Sequence, residues 1–276
     1  RGSKRFNRGS PGMIDPVIIF TLFIFGISIG SFLNVVIFRL PKNMSLFFPG
    51  SHCFSCKTPV RFRDNIPVLG YIILRGKCRS CESTFSSRYA LVELFSGLIT
   101  CVLFALYGFS QYFFIYSFLT YALIAITFID LDHFIIPNGF IILGLISIMI
   151  IYYFDFTPIH WEDGATGALI FGGFLFFLGV FGEFILRKES IGFGDVKLGL
   201  VLGGLIGIKY SILALYLSFF SAGIAIIILM AFKKLNTVSG QIPFGPYISA
   251  GTLLTILTST PNGDNIIIDW YLRTMF

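Results

Sequence analysis

Two acidic stretches hold the side chains best able to do chemistry in this sequence. Asp195 follows two glycines in the segment IGFGDVK at 191–197, at the mouth of a long apolar run. Asp130 and Asp132 close another apolar run, in the segment IDLDH at 129–133. A carboxylate at a membrane edge is costly to keep there, so each is a candidate functional group. Gly192 and Gly194 add no side-chain bulk, which lets another backbone approach closely.

Two of these carboxyl groups, if the chain brings them together, can serve as an acid–base pair. Two carboxylates about 3 Å apart cannot both ionise easily, so one of them holds a proton at neutral pH. The ionised carboxylate can deprotonate water while the protonated one polarises a peptide carbonyl, which gives a tetrahedral diol. Taken singly, each acid also has a structural interpretation: Asp195 as a partner of Lys197, and Asp132 as a solvated turn residue.

No other catalytic set in the sequence competes with the carboxyl groups. There is no Gly-x-Ser-x-Gly elbow, no P-loop and no His-Glu-x-x-His. The three histidines, His52, His133 and His160, are scattered along the chain. His52 adjoins a cysteine cluster and is expected to help order it rather than to bind a metal.

Four of the five cysteines form two Cys-x-x-Cys pairs, Cys53 with Cys56 and Cys78 with Cys81. Two thiolates three residues apart can hold one side of a tetrahedral ion, and a second pair completes the set. The gap between the pairs is slightly longer than the usual zinc spacing. We predict a closed structural zinc site, with redox or disulfide chemistry as the alternative.

The composition indicates a membrane protein. Apolar residues make up 55% of the chain and charged residues 12%, about half the charged share of a soluble domain. Nothing resembles a basic nucleic-acid-binding domain. We predict an all-α polytopic membrane protein with about eight transmembrane helices and a small zinc-binding cytoplasmic domain between helices 1 and 2. The predicted spans are 14–38, 89–107, 111–129, 136–154, 165–186, 194–208, 210–232 and 247–257.

Composition also divides the chain into four parts. Residues 1–12 are rich in Arg, Gly and Ser and are interpreted as a cloning remnant, with a native basic tail as the alternative. Residues 13–38 form the first transmembrane helix, residues 39–88 the polar domain with the four cysteines, and residues 89–276 the transmembrane domain with both acidic stretches. Within the polar domain, the apolar run 71–74 is expected to be a strand or a packed loop. The tail 265–276 is expected to form an interfacial helix.

The distribution of Lys and Arg predicts the orientation. Segment 39–88 carries nine Lys and Arg against two acids, whereas the connection 155–163 carries none. The side rich in Lys and Arg is therefore predicted to be cytoplasmic. With eight spans, Asp130, Asp132 and Asp195 all fall on that cytoplasmic edge, and both termini lie outside.

Six segments, in this order, resemble the type IV prepilin peptidases, a family of membrane aspartic proteases with a Gly-x-Gly-Asp motif. Ala90 stands where this family often has proline. The matching segments are GSFLNVVIFRLP at 30–41, DNIPVLGY at 64–71, SRYALVEL at 87–94, Asp130 followed by Ile136-Pro137, GFGD at 192–195 and IPFGPY at 242–247.

The resemblance implies an activity and a substrate. The family removes a short basic leader from prepilins and pseudopilins at the cytoplasmic face of the bacterial inner membrane, just before the hydrophobic helix. By position, Asp130 and Asp195 match the catalytic aspartates, and Asp132 is the nearest rival to Asp130. Residues 89–276 then form the aspartic protease domain, which meets membrane lipid and the prepilin helix.

Many members of the family also methylate the new N-terminal residue with S-adenosylmethionine. The sequence shows no glycine-rich cofactor loop, so this activity rests on the resemblance alone. Glu93 and Asn34 are possible contributors, with packing and capping as their alternative roles. Two other functions stay open at this point: a transporter that uses Asp130 and Asp195 as a proton or cation relay, and an assembly factor with a zinc module.

Overall fold

The computed structural model describes residues 15–157, 159–187, 191–232, 242–261 and 263–275. The predicted cloning remnant at 1–12 lies outside these residues. Within them the chain is helical, and no strand is formed. The α-helices are α1 (Pro16–Arg39), α2 (Leu69–Leu74), α3 (Arg88–Tyr107), α4 (Gln111–His133), α5 (Asn138–Tyr153), α6 (Trp161–Leu186), α7 (Phe193–Ala231), α8 (Gly245–Leu257) and α9 (Ile266–Met275).

The predicted apolar segments all fall in helices. In the described part of the chain, five helices are long and apolar enough to cross a membrane: α1, α3, α4, α6 and α7. The apolar helices α5 and α8 are shorter. A polar loop at 40–87 separates α1 from α3 and carries the four paired cysteines. The tail forms α9 as expected, and its helix is amphipathic.

Small residues let α1 and α3 pack closely. A methyl group at Gly26 would lie 2.8 Å from the Gly97 Cα atom, and one at Gly30 would lie 2.6 Å from the Glu93 Cα atom. Such close approach at small residues is typical of helix–helix contacts in membranes. It also places the end of α1 beside the start of α3, where the Asn34 side chain donates to the Tyr89 carbonyl at 3.0 Å.

Helix α7 contains two of the predicted spans and a sharp bend. It has 39 residues, and Gly207 interrupts it with φ 74° and ψ 176°. This backbone conformation is open to glycine and strained for other residues. A straight helix of that length would extend about 58 Å, almost twice the thickness of a bilayer core.

The bend at Gly207 returns the chain to the end from which α7 starts. Asp195, in the first turn of α7, lies at the same end of the bundle as Gly245, at the start of α8. Further along α7, the Phe219 ring lies 5.1 Å from the Phe244 ring, which precedes Gly245. The second half of α7 therefore runs back toward Asp195, which agrees with the two spans predicted at 194–208 and 210–232.

The expectation of a strand or packed loop at 71–74 is wrong. These residues belong to α2, a helix of six residues. Gly70 lets the start of this helix press against the Asp64 carbonyl, and the Gly70 N–H donates to the Ile66 carbonyl at 2.8 Å. A run of four apolar residues has no periodicity that separates helix from strand.

The packing of α6 on α7 predicts opposite effects for two glycines of α6. A methyl group at Gly167 would lie 2.5 Å from the Gly203 carbonyl oxygen, whereas one at Gly173 has nothing within 4 Å. We expect Gly167→Ala to destabilise the protein by about 1–3 kcal/mol, because two backbones must separate. Thermal unfolding in detergent would measure this.

Gly173→Ala is the matched control, since it adds the same methyl group to the same helix. It should leave the melting temperature unchanged or raise it, because alanine favours helix. Equal melting temperatures for the two variants would contradict the close contact between α6 and α7.

Candidate active site

Two chain reversals bring Asp130 and Asp195 to one end of the bundle. Asp130 lies in the last turn of α4, and its carbonyl accepts from the Phe134 N–H at 2.9 Å as the helix ends. Asp195 lies in the first turn of α7. Between them, Ile136 of the α4–α5 connection packs on Gly194, where a methyl group would lie 3.2 Å from the Ile136 Cβ atom.

Both carboxyl groups are buried at this end. Asp130 is 5% exposed and Asp195 is 8% exposed. They are close enough that the charge of Asp130 acts on the Asp195 carboxyl. Such an interaction is strong where water is excluded. The structure thus brings together the two acids that the sequence analysis singled out.

The N-terminus of α8 faces Asp130. The Gly245 N–H donates to Asp130 Oδ2 at 3.0 Å, and a methyl group at Gly245 would lie 2.6 Å from the same oxygen. A helix N-terminus carries a partial positive charge and favours a carboxylate. Gly245 therefore both admits the carboxylate and holds one of its oxygens.

The two glycines before Asp195 lie against side chains. Gly192 precedes the helix at φ −66°, which any residue can adopt. A methyl group there would lie 3.2 Å from Asp195 Oδ2. Gly194 lies against Ile136. Gly192 thus keeps space beside the Asp195 carboxyl group and Gly194 makes room for Ile136, and neither is needed for an unusual backbone angle.

Neither structural interpretation holds as made: Asp132 lies in α4 and forms an ion pair rather than a solvated turn, and among the described residues Asp195 is not paired with Lys197. Arg88 Nη1 lies 2.7 Å from Asp132 Oδ2, which ties the end of α4 to the start of α3. Lys197 Nζ instead lies 3.2 Å from Asn138 Oδ1 of α5 and over the Phe193 ring. Asp132 is thus engaged in an ion pair, whereas Asp195 is paired with no Lys or Arg among the described residues.

The four paired cysteines form one cluster. Their sulfur atoms all lie within 4.8 Å of one another. Cys53 Sγ lies 3.7 Å from Cys81 Sγ, and Cys56 Sγ lies 3.9 Å from Cys78 Sγ. The two Cys-x-x-Cys pairs therefore face each other, as the sequence predicts for one metal ion.

Hydrogen bonds around this cluster favour a thiolate at Cys53. The Cys56 N–H and the Ser83 hydroxyl lower the pKa of the Cys53 thiol to about 5. Nearby, Arg79 binds Asp64 through Nε at 2.9 Å and Nη2 at 2.6 Å. The Arg79 guanidinium also holds the pKa of the Asp64 carboxyl below its usual range. This ion pair joins the second cysteine pair to the segment between the pairs.

Two contacts at the acidic end were not predicted from the sequence. The Gly245–Asp130 hydrogen bond joins residues 115 positions apart, and the Arg88–Asp132 pair joins residues 44 apart. The Gly-Pro pair at 245–246, which marks a helix start, was the available signal for the first contact. No local pattern points to the second.

Two family models match the chain. Residues 24–107 match the Bacterial Peptidase A24 N-terminal domain. Residues 117–228 match the Type IV leader peptidase family. No solved structure matches the chain.

Curated relatives match most of the chain. A "Type 4 prepilin-like proteins leader peptide-processing enzyme" of Escherichia coli O78:H11 is 35% identical, over 84% of this chain and 90% of that protein. A "Prepilin leader peptidase/N-methyltransferase" of Pseudomonas putida is 31% identical, over 88% of this chain and 92% of that protein. A protein with the same name from Pseudomonas aeruginosa is 32% identical, over 84% and 87%.

These matches run through both the cysteine loop and the helices that carry Asp130 and Asp195. The apolar helices indicate that this protein crosses the membrane several times. The chain belongs to the type IV leader peptidase family.

Proposed function

We propose that this protein removes the leader peptide from type IV prepilins or pseudopilins as a membrane aspartic endopeptidase, and that it methylates the new N-terminal residue. The observation that carries the peptidase is the buried pair Asp130 and Asp195 at one end of the bundle. Family membership and the names of the relatives support both activities. They favour neither the transporter nor the assembly factor.

Asp130 and Asp195 would divide the acid–base work. The ionised carboxylate takes a proton from water, and the oxygen of that water attacks the scissile carbonyl carbon. The protonated carboxyl group passes its proton to the carbonyl oxygen as charge develops there, which gives the tetrahedral diol. Collapse of the tetrahedral diol then breaks the C–N bond, and a carboxyl proton passes to the leaving amine.

The proposed orientation places this pair at the cytoplasmic face of the bacterial inner membrane. The polar loop at 40–87, with seven Lys and Arg, lies between α1 and α3, next to the end that holds the aspartates. A prepilin helix lying in the membrane beside the bundle would present its scissile bond there. Its basic leader would remain on the cytoplasmic side, which agrees with the positive-inside rule.

The acid pair predicts a large loss of cleavage for single amide variants. Asp130→Asn and Asp195→Asn each keep the side-chain shape and remove the acid–base group. We expect each to slow leader removal by about 10²–10⁴-fold. Incubation of the purified protein with a prepilin that carries its leader measures this rate.

Asp132→Asn is the matched control, since it changes a neighbouring acid that is bound to Arg88. It should retain most of the cleavage activity. Wild-type cleavage by a folded Asp130→Asn or Asp195→Asn variant would refute the role of that residue.

Gly245 is expected to act as a positioning residue for Asp130. Gly245→Ala places a methyl group against Asp130 Oδ2 and should displace the carboxyl group from its N–H donor. We expect cleavage to fall by up to about 100-fold, because small displacements of a catalytic group are costly. The same prepilin assay measures this effect.

Gly223→Ala is the control for Gly245, since a methyl group there has nothing within 4 Å. It should cleave at the wild-type rate. Full activity in Gly245→Ala would show that this contact does not orient Asp130.

We also propose that the cysteine cluster binds Zn²⁺ as a structural metal. Four sulfurs about 2.3 Å from one ion lie about 3.8 Å from each other in a tetrahedron. The two sulfur–sulfur distances of 3.7 Å and 3.9 Å fit that geometry. Four thiolates fill the coordination shell, so the ion would order the loop rather than act on substrate.

Metal analysis of freshly purified protein tests this site. We expect about one zinc per chain, lost in Cys53→Ser. Cys101→Ser is the control, because Cys101 lies in α3 outside the cluster and should leave the zinc content unchanged. Wild-type protein without zinc, or a Cys53→Ser variant with full zinc content, would contradict the assignment.

S-adenosylmethionine is the proposed methyl donor, and it would supply an electrophilic methyl group on a sulfonium ion. The chain offers a place that fits it chemically. A cleft of about 660 Å³ lies between the cysteine loop, α1 and α3, within the size range of small-molecule sites. Its lining combines aromatic rings with acidic and basic side chains, as a ligand with an adenine ring, a cation and a carboxylate requires.

A further inference from the structure

The cleft between the cysteine loop, α1 and α3 contains a buried carboxylate that the peptidase does not use. We call it the loop cleft and define it by Ser31 and Asn34 of α1, Tyr89 and Glu93 of α3, and Phe54 and Phe85 of the loop. Glu93 is 9% exposed. A buried carboxylate needs hydrogen bonds or a cation to offset its lost hydration.

The neighbours of Glu93 supply hydrogen bonds but no cation. The Val68 N–H donates to Glu93 Oε2 at 2.7 Å, and the Ser31 and Asn34 side chains lie beside the same carboxylate. Within the described residues, the side-chain ion pairs are Arg79–Asp64 and Arg88–Asp132. Glu93 therefore has hydrogen-bond donors but no cationic partner among the described residues.

The backbone beside Glu93 is strained. Val68, whose N–H binds Glu93, has φ 63° and ψ −51°. A β-branched residue rarely adopts a positive φ, and such strain is concentrated at ligand and catalytic sites. The hydrogen bond from Val68 to Glu93 is thus made at a strained point of the loop.

A second cleft adjoins the loop cleft near the end of α4. It has a volume of about 370 Å³ and includes Arg88, Asp132 and His133 in its lining. The two clefts share Asn34, Phe38, Lys42 and Tyr89. These four residues thus form a common wall between the loop cleft and a cleft that includes Asp132, two residues after Asp130.

The geometry points to the loop cleft as the binding site for S-adenosylmethionine, with the Glu93 carboxylate paired to its sulfonium group; this rests on the methyltransferase activity proposed above. The aromatic rings of the cleft suit an adenine ring. Arg39 is already bound to the Ser45 and Pro49 carbonyls, whereas Lys42 lies over the Phe38 ring in both clefts. Arg79 is paired with Asp64, so Lys42, Lys57 and Arg61 are the lining cations that remain for the ligand carboxylate.

Glu93→Gln isolates the charge, because glutamine keeps an oxygen that can accept from the Val68 N–H. Titration calorimetry on the full-length, zinc-containing protein in detergent would measure the dissociation constants of S-adenosylmethionine and S-adenosylhomocysteine. The second ligand is a neutral thioether at the same sulfur. We expect Glu93→Gln to weaken S-adenosylmethionine binding by about tenfold or more and S-adenosylhomocysteine binding much less, while leader cleavage is retained.

Glu183→Gln is the matched control, since it removes an exposed carboxylate of α6 outside the cleft. It should bind both ligands as the wild type does. Unchanged S-adenosylmethionine affinity in Glu93→Gln, or equal weakening of both ligands, would overturn the pairing with the sulfonium. A cleft that holds the basic leader instead would give the first of these results.

Two further measurements separate the possible failures. Ultraviolet crosslinking of labelled S-adenosylmethionine to the wild type does not depend on how the variant folds. Adducts on peptides with Phe38, Phe54, Tyr71 or Phe85 are expected, and adducts only elsewhere would overturn the site. Wild-type protein that neither binds S-adenosylmethionine nor transfers its methyl group would refute the methyltransferase itself.

Discussion

The burial of two carboxyl groups beside each other is the constraint on which the rest of this bundle depends. Asp130 and Asp195 each end up less than one tenth exposed, and their charges repel. Three helix ends meet where these groups lie: the end of α4, the start of α7 and the start of α8. The Gly245 N–H at the start of α8 donates to Asp130.

Glycine and small side chains make this convergence possible. Gly194 admits Ile136 beside Asp195, and Gly207 bends α7 so that its second half returns past Phe244. Gly26 and Gly30 likewise bring α1 against α3. Both helices line the loop cleft together with the cysteine loop, and Glu93 of α3 is part of that lining. Two separate polar sites thus arise from close contacts between apolar helices.

The sequence predicted the parts that depend on composition, periodicity and motif. Apolar runs gave the helices, and the spacing of Cys53, Cys56, Cys78 and Cys81 predicted a cluster that the structure forms. Lys and Arg counting placed Asp130 and Asp195 at one membrane edge, and the structure brings these residues together.

The contacts that orient these groups depend on tertiary packing and could not be predicted. Gly245 reaches Asp130 across 115 residues, and Glu93 reaches Val68 across 25. No local sequence pattern predicts a contact between residues so far apart in the chain. The prediction for the short run at 71–74 was wrong for another reason: four residues are too few to show a helical period. The positive φ of Val68 could not be predicted either, because valine usually avoids that conformation.

The central claim is that Asp130 and Asp195 act as one catalytic unit. The most direct test is the single-turnover cleavage rate of the double variant Asp130→Asn/Asp195→Asn, measured with excess enzyme beside each single variant. When two groups act as one unit, removing either one already removes their joint contribution to the rate. The effects of the two substitutions are then strongly non-additive. We predict that the double variant cleaves prepilin no more slowly than the slower single variant. A rate reduced by the product of the two single losses would show that the carboxyl groups act independently and would contradict the account.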